Sequence, residues 1–212
     1  NEMLIAAIGD IHGNLPALEA VLKDIDEAGI QTIVNTGDCV VGSQWPDEVV
    51  EILRSRGIVT VQGEYDRLAA RFERKKARIE REFAPEIVCQ IRATSEAMSS
   101  GNLEFLAGLP REKAFTVDGV AICLCHGTPQ GQGDSLYEND EPRRFRRIRE
   151  AANAEIIICG RTHTAFSRIV DNTLFANPGS VGVGTAVQNQ AQYALISTES
   201  EPWGARILSV RY

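Results

Sequence analysis

No apolar run in this chain approaches the ~18 residues needed to span a membrane, so no membrane helix is expected. Behind the opening Asn1-Glu2-Met3 there is neither a basic stretch nor a long apolar one, so no secretory signal is expected either. Positive charge is scarce: 22 Lys+Arg stand against 29 Asp+Glu, for a formal charge of -7. That sign repels nucleic-acid backbones at long range and disfavours nucleic acid as a partner. It would also repel a small anion, unless a local positive centre such as a bound metal ion reverses the field. Cysteine pairing is missing too. Cys39, Cys89, Cys123, Cys125 and Cys159 are odd in number and form no C-x-x-C. A reduced, cytoplasmic protein is expected rather than a disulfide scaffold, with Cys123 and Cys125 as small core residues on one strand face. The first turn lacks G-x-G-x-x-G, which argues against a dinucleotide-binding oxidoreductase. No linker or low-complexity segment interrupts the chain, so 1–212 is expected to form one domain.

What is present is ordinary for a globular protein: 43% hydrophobic and 24% charged residues. Met3 to Ile8 reads as a strand covered on both faces. A helix follows from about Pro16 to Ala28, with Leu18, Val21, Leu22, Ile25 and Ala28 at helical spacing and Gly29 as its stop. The unit repeats: strand 32–35, helix 46–56, strand 58–61. Such alternation predicts an α/β fold with a parallel sheet. Residues 67–108 read as helical throughout, an insertion able to shape substrate access. The mixed charges of 71–82 read as a solvated helix. The second half is richer in strands: two joined at Asp118-Gly119 within 117–125, then 155–159, a hairpin 166–170 and 173–176, and 192–197 and 206–210. A helix over 143–152 lies among them, after a Gly-, Pro- and Gln-rich loop at 127–142. This pattern suits two packed sheets with helices outside.

There are only three histidines, His12, His126 and His163, and each follows a strand directly. The carboxyl ends of strands are where α/β proteins place their sites. Asp10 and His12 lie two apart, so in an extended segment both side chains leave on one side. A carboxylate and an imidazole pointing together make half a site for a divalent cation. Thr36-Gly37-Asp38 adds a carboxylate, Gly160-Arg161-Thr162-His163 a second imidazole, and His126 a third.

In order, Gly9-Asp10-Ile11-His12-Gly13-Asn14, Gly37-Asp38, Gly63-Glu64-Tyr65-Asp66, His126-Gly127 and Gly160-Arg161-Thr162-His163 resemble the motifs of the calcineurin-like metallophosphoesterases. With the ending Asn177-Pro178-Gly179-Ser180-Val181-Gly182, the chain looks like the small bacterial and archaeal branch that includes YfcE-type phosphodiesterases. The resemblance implies a four-layer αββα sandwich, here with a helical insertion, and a two-metal site. It implies that Asp10, His12, Asp38 and His163 hold a first metal. Asp38 would bridge to a second, completed by Glu64, His126 and the position of Arg161. It implies hydrolysis of a phosphodiester or phosphomonoester by a metal-bound hydroxide attacking in line with the leaving group. Arg161 and His126 would stabilise the phosphoryl charge, and Asn14 would position a phosphate oxygen while also capping the next helix.

The sequence departs from the family at three positions. Glu64 stands where Asn is usual, Arg161 where His is usual, and Tyr65 where His is frequent. A guanidinium has no lone pair for a cation. Either Arg161 swings aside and a second metal still binds Asp38, Glu64 and His126, or Arg161 takes the second-metal position, pairs with Glu64 and offers its fork to phosphate. The compensating charges favour the latter. The alternative to an enzyme is a non-catalytic phosphate- or nucleotide-binding protein on a degenerate phosphoesterase fold. The mixed Asp/His shell suits one or two ions of Mn, Fe, Ni, Co or Zn. The expected partner is a small phosphate ester, with no membrane association. A homo-oligomer is compatible: the arginine-rich helix with Arg143, Arg144, Arg146, Arg147 and Arg149 reads as a solvated face or subunit contact.

Overall fold

The computed structural model describes residues 4–183, 187–199 and 203–212, so Met3 of the expected first strand lies outside it. β1 (Leu4–Ile8) alternates between two apolar clusters. Ile5 and Ala7 face one, Ala6 and Ile8 the other. Coverage on both faces is why the strand reads as one apolar run. α1 (Leu15–Glu27) buries Leu18, Val21, Leu22 and Ile25. β2 (Thr32–Asn35), α2 (Pro46–Ser55) and β3 (Val59–Thr60) repeat the unit. The strands pair in parallel, with Ile5 opposite Thr32 and Val34 opposite Val59.

The helical stretch begins at Glu64, three residues earlier than its sequence suggests. It comprises α3 (Glu64–Ala70), α4 (Phe72–Glu82), α5 (Pro85–Ala97) and α6 (Ser100–Gly108). Leu68, Phe72, Ile79, Ile91, Met98 and Leu106 join the cluster under α1 and α2. The insertion therefore extends the first helical layer. Gln62 ties its far end back to β3, donating from Nε2 to the Leu106 carbonyl at 2.7 Å and from its backbone N–H to that of Pro110 at 2.7 Å.

β4 (Glu112–Val117) and β5 (Val120–Cys125) form an antiparallel pair across Asp118-Gly119. α7 (Pro142–Ala152), β6 (Ile156–Ile158) and the hairpin β7 (Phe166–Val170) and β8 (Thr173–Asn177) follow. β9 (Gln190–Ser197) and β10 (Gly204–Arg211) return to the first sheet. One sheet has the order β10-β9-β1-β2-β3 and the other β4-β5-β6-β8-β7. Both are mixed: in the first, β1, β2 and β3 run parallel with β9 and β10 paired antiparallel on one side, and in the second β5, β6 and β8 run parallel between antiparallel β4 and β7.

Three apolar clusters separate four layers. Ile5, Val34, Ile122, Ile156, Ile158 and Ile196 fill the space between the sheets. Phe145 and Ile148 of α7 cover the second sheet against Ile157 and Phe175. The αββα arrangement follows from these residues alone. Three arginines of α7 are paired: Arg143 with Glu141 at 2.6 Å, Arg144 with Asp134 at 2.6 Å and Asp140 at 3.1 Å, and Arg146 with Asp171 at 2.7 Å. All five cysteines are free, four of them buried. Among the described residues no helix is long and apolar enough to cross a membrane.

Candidate metal centre

The carboxyl ends of β1, β2 and β3 in one sheet meet those of β5 and β6 in the other. The loops after β1 and β2 are laced together: Asp10 donates to the Gly37 carbonyl at 2.9 Å, His12 to Asp38 at 3.0 Å and Gly13 to Cys39 at 2.8 Å. The loops after β5 and β6 are joined by Gly160 donating to the His126 carbonyl at 2.8 Å. Asp10, His12, Asp38, Arg161 and His163 all adopt positive φ, between 50° and 72°. Left-handed backbone is uncommon in residues with a Cβ, and it gathers where surrounding structure holds a functional site in place. The extended segment expected at Asp10 and His12 is therefore not found. Two left-handed residues flank the fully buried Ile11, and the side chains converge all the same.

Hydrogen bonds fix two of the three imidazoles. Nδ1 of His12 donates to the Val41 carbonyl at 2.8 Å, and Nδ1 of His126 donates to that of Thr36 at 2.9 Å. Each ring thus turns its Nε2 toward the centre, and its neutral form is the tautomer a cation needs. Nε2 of His12 lies 3.2 Å from Nε2 of His163, which lies 3.4 Å from Oδ1 of Asp10. Nε2 of His126 lies 3.2 Å from Oδ2 of Asp38. Donor atoms of Asp10, His12 and His163 fall within 4.8 Å of one another, as do those of Asp10, Asp38 and His126. The structure thus divides the expected ligands into two triads sharing Asp10. Within that distance Asp38 groups with His126, while its charge also acts on His12 and His163.

Two donor atoms are stranded. Oδ1 of Asp10 and Nε2 of His126 are buried without a hydrogen-bond partner, the approach to Asp38 lacking hydrogen-bond alignment. Orphaned polar atoms are costly unless something binds them. The donor set of carboxylates and imidazoles fits a divalent cation.

The electrostatics agree. Burial disfavours the charged ring of His126, but the charge and proximity of Asp38, with Asp10 and Asp66, push it up to about 9. The proximity and charge of the Asp10 carboxylate raise His163. Burial pushes Asp38 up, yet His126 and His12 hold it below the usual carboxylate range. Without an ion, protons supply the positive charge that the carboxylates call for.

Supporting groups hold the ligands. Oδ1 of Asp38 accepts the Tyr65 N–H at 2.8 Å, and Oδ2 of Asp10 accepts that of Arg161 at 3.1 Å. Ser180 Oγ donates to the Asp10 carbonyl at 2.7 Å, and Asn177 Nδ2 to that of Gly160 at 2.9 Å. Asp66 was not singled out from the sequence, although it sits inside the Gly63-Glu64-Tyr65-Asp66 motif. Its two oxygens accept the Cys39 and Gly63 N–H groups at 2.8 Å each, clasping the two loops together. Burial and the Asp38 charge push it up to about 6.

Glu64 joins neither triad. Its Oε2 accepts from Arg161 Nη1 at 3.0 Å, and its Oε1 lies 3.7 Å from Arg67. Arg161 also donates to the Gln132 carbonyl at 3.5 Å. The Arg161–Glu64 pair exists, but the guanidinium bonds there rather than to Asp38 or His126. Asn14 caps α1, accepting from Ala17 N–H at 3.2 Å, and its amide donates to the Gly182 carbonyl and Tyr212 hydroxyl at 3.1 Å each. Both its N–H groups are thereby occupied by the protein.

Known proteins share this architecture. The chain is 28% identical over 225 residues to the uncharacterized protein MJ0912 of Methanocaldococcus jannaschii, covering 99% of this chain and 88% of that one. The crystal structure of the hypothetical protein PH1004 from Pyrococcus horikoshii superposes with a TM-score of 0.89 at 21% identity, covering 99% of this chain and 88% of that one. A metallophosphoesterase from Sphaerobacter thermophilus superposes with a TM-score of 0.77 at 24% identity, covering 100% and 89%. The family model for the calcineurin-like phosphoesterase superfamily domain matches residues 3–201. With that span matched and the four layers in place, the chain belongs to the calcineurin-like phosphoesterase superfamily.

Proposed function

We propose that this protein is a metal-dependent hydrolase of a phosphodiester or phosphomonoester, working in a reduced, cytoplasmic setting. The observation that carries the reading is the stranding of Asp10 Oδ1 and His126 Nε2 where two ligand triads meet. Asp10, His12 and His163 would hold one divalent ion of the Mn, Fe, Ni, Co or Zn type. Asp38 and His126, with Asp10, would hold a second. When bound, such ions supply Lewis acidity: they polarise phosphoryl oxygens and make a coordinated water acidic near neutral pH.

The chain's own residues do the rest. The carbonyls of Val41 and Thr36 hold His12 and His126 in the tautomer that presents Nε2. Tyr65 N–H fixes the rotation of the Asp38 carboxylate. Glu64 steadies the Arg161 guanidinium beside the centre, where its remaining N–H groups offer a planar fork to a phosphate oxygen. Asn14 acts through the loop, since contact with phosphate would require it to release Gly182 or Tyr212.

The test is turnover of bis-p-nitrophenyl phosphate with added Mn²⁺. Asp38→Ala is expected to lower kcat/KM by at least about 100-fold. Undiminished turnover in that variant would reject the scheme. Metal analysis of the purified chain is expected to find two ions, because Arg161 leaves the second triad free. One tightly held ion would instead assign the second position to the guanidinium. Activity rising from near zero in Arg161→His would favour the non-catalytic binding protein.

A further inference from the structure

Glu64, beside the centre, also lines a cavity of about 400 Å³ in which five of the ten lining residues are cationic. Arg67, Arg71, Lys75 and Arg78 reach it from one side of α3 and α4, and Arg111 comes in from beyond α6. The carboxylates present are Glu64 and Glu82, so five positive groups face two negative ones in a chain of formal charge -7. Both carboxylates are engaged. Glu82 accepts from Arg78 Nε through both oxygens, at 2.9 and 3.0 Å, and Glu64 accepts from Arg161. Among the described residues Arg71, Lys75 and Arg111 have no ion-pair partner. Nε of Arg71 is buried with no acceptor at all. Leu68 and Ile79 supply an apolar floor that strengthens any charge interaction above them.

A solvated helix face would spread its charges. Arg74, Lys76 and Arg81 do not line the cavity, but Arg67, Arg71, Lys75 and Arg78 gather there across the break between α3 and α4, and a fifth cation arrives from a separate segment. Such an arrangement answers a concentrated negative charge, and guanidinium groups match phosphate best. The cavity is also joined to the centre by direct contacts: Glu64 bonds Arg161, and the Arg161 N–H bonds Asp10. We infer that the substrate carries a second phosphate, and that this cavity holds it while the scissile phosphate lies at the metal centre. The inference rests on the phosphoesterase reading and narrows its substrate to bisphosphorylated small molecules.

Two p-nitrophenyl esters test it on the full, Mn²⁺-loaded chain: thymidine 5′-(p-nitrophenyl phosphate) and the same ester bearing a 3′-phosphate. The native protein is expected to prefer the 3′-phosphorylated ester by at least about tenfold in kcat/KM. That ratio is expected to fall toward one in Lys75→Gln and in Arg111→Gln, both exposed and safe for folding, and to shrink with added salt. Equal kcat/KM for the two esters overturns the inference but leaves the hydrolase intact, as does a ratio that neither variant changes. Activation of the simpler ester by inorganic phosphate without competition would place a free anion in the cavity, and also overturns it. Should neither ester nor p-nitrophenyl phosphate be hydrolysed, the hydrolase reading fails. Calorimetry then decides the cavity separately: tighter binding of thymidine 3′,5′-bisphosphate than of the 5′-monophosphate, weakened in both variants, supports it, and equal binding rejects it.

Discussion

At His126 two forces oppose each other. Burial works against the imidazolium, while Asp38, Asp10 and Asp66 pull the ring up to about 9. Since an unfolded histidine titrates at about 6.5, the raised value stabilises the ion-free fold at low pH, and that contribution disappears as pH rises through about 9. A metal needs the neutral ring and must displace the proton. Metal binding at pH 7 is therefore expected to release protons, seen as a buffer-dependent enthalpy in calorimetry. The gain in Tm on adding metal is expected to grow from pH 6 to pH 9; a gain independent of pH would mean that His126 is no ligand. Which residues to watch was legible in the sequence, because all three histidines follow strands. Their division into triads was not. Whether Asp38 stands nearer His126 or His163 depends on how two sheets pack, and no spacing along the chain encodes that.

The elements that matter most at the centre are loops pressed against loops. A Cβ on Gly63 would come within 2.2 Å of both Asp38 N and Asp38 Oδ1, so the loop after β3 touches a ligand directly. Gly63→Ala is expected to cost about 1–3 kcal/mol and to lower metal content as Asp38 is displaced, while circular dichroism stays helical. Full metal content in that variant would show that the ligand tolerates the shift. The strands and helices with clear periodicity were readable, α1 and α2 almost to their ends. Two boundaries were not. β4 exposes Glu112, Lys113 and Ala114 together, so it shows no alternation to reveal it. α3 starts at Glu64, directly after Gly63 and ahead of the helical stretch read from 67. There Asp66 closes the helix start by accepting the Gly63 N–H, a role visible only once both loops are in place.

Across the whole molecule, the layer between the sheets couples the two halves of the site, for the ligands descend from both sheets. Ile158 is fully buried in that layer, at the end of β6 and just before Gly160 and Arg161. Ile158→Ala is expected to cost about 2–4 kcal/mol, in one cooperative transition followed by thermal unfolding, with metal affinity falling in step. A separate early transition would show that the sheets unfold independently. The layered fold was legible because apolar runs in central strands and helical stripes have no other economical packing. The cationic cavity was not: residues 71–82 read as a solvated face, and nothing in the chain's order tells that Arg111 returns to the same place. The left-handed backbone at Asp10, His12, Asp38, Arg161 and His163 has one more consequence. In a saturation library, valine, isoleucine and threonine at these five sites are expected to be lost for lack of folded protein, whatever their chemistry. Glycine and asparagine should yield folded protein deficient only in ligand binding. Heredity at this centre is thus filtered twice, by chain geometry first and by coordination second.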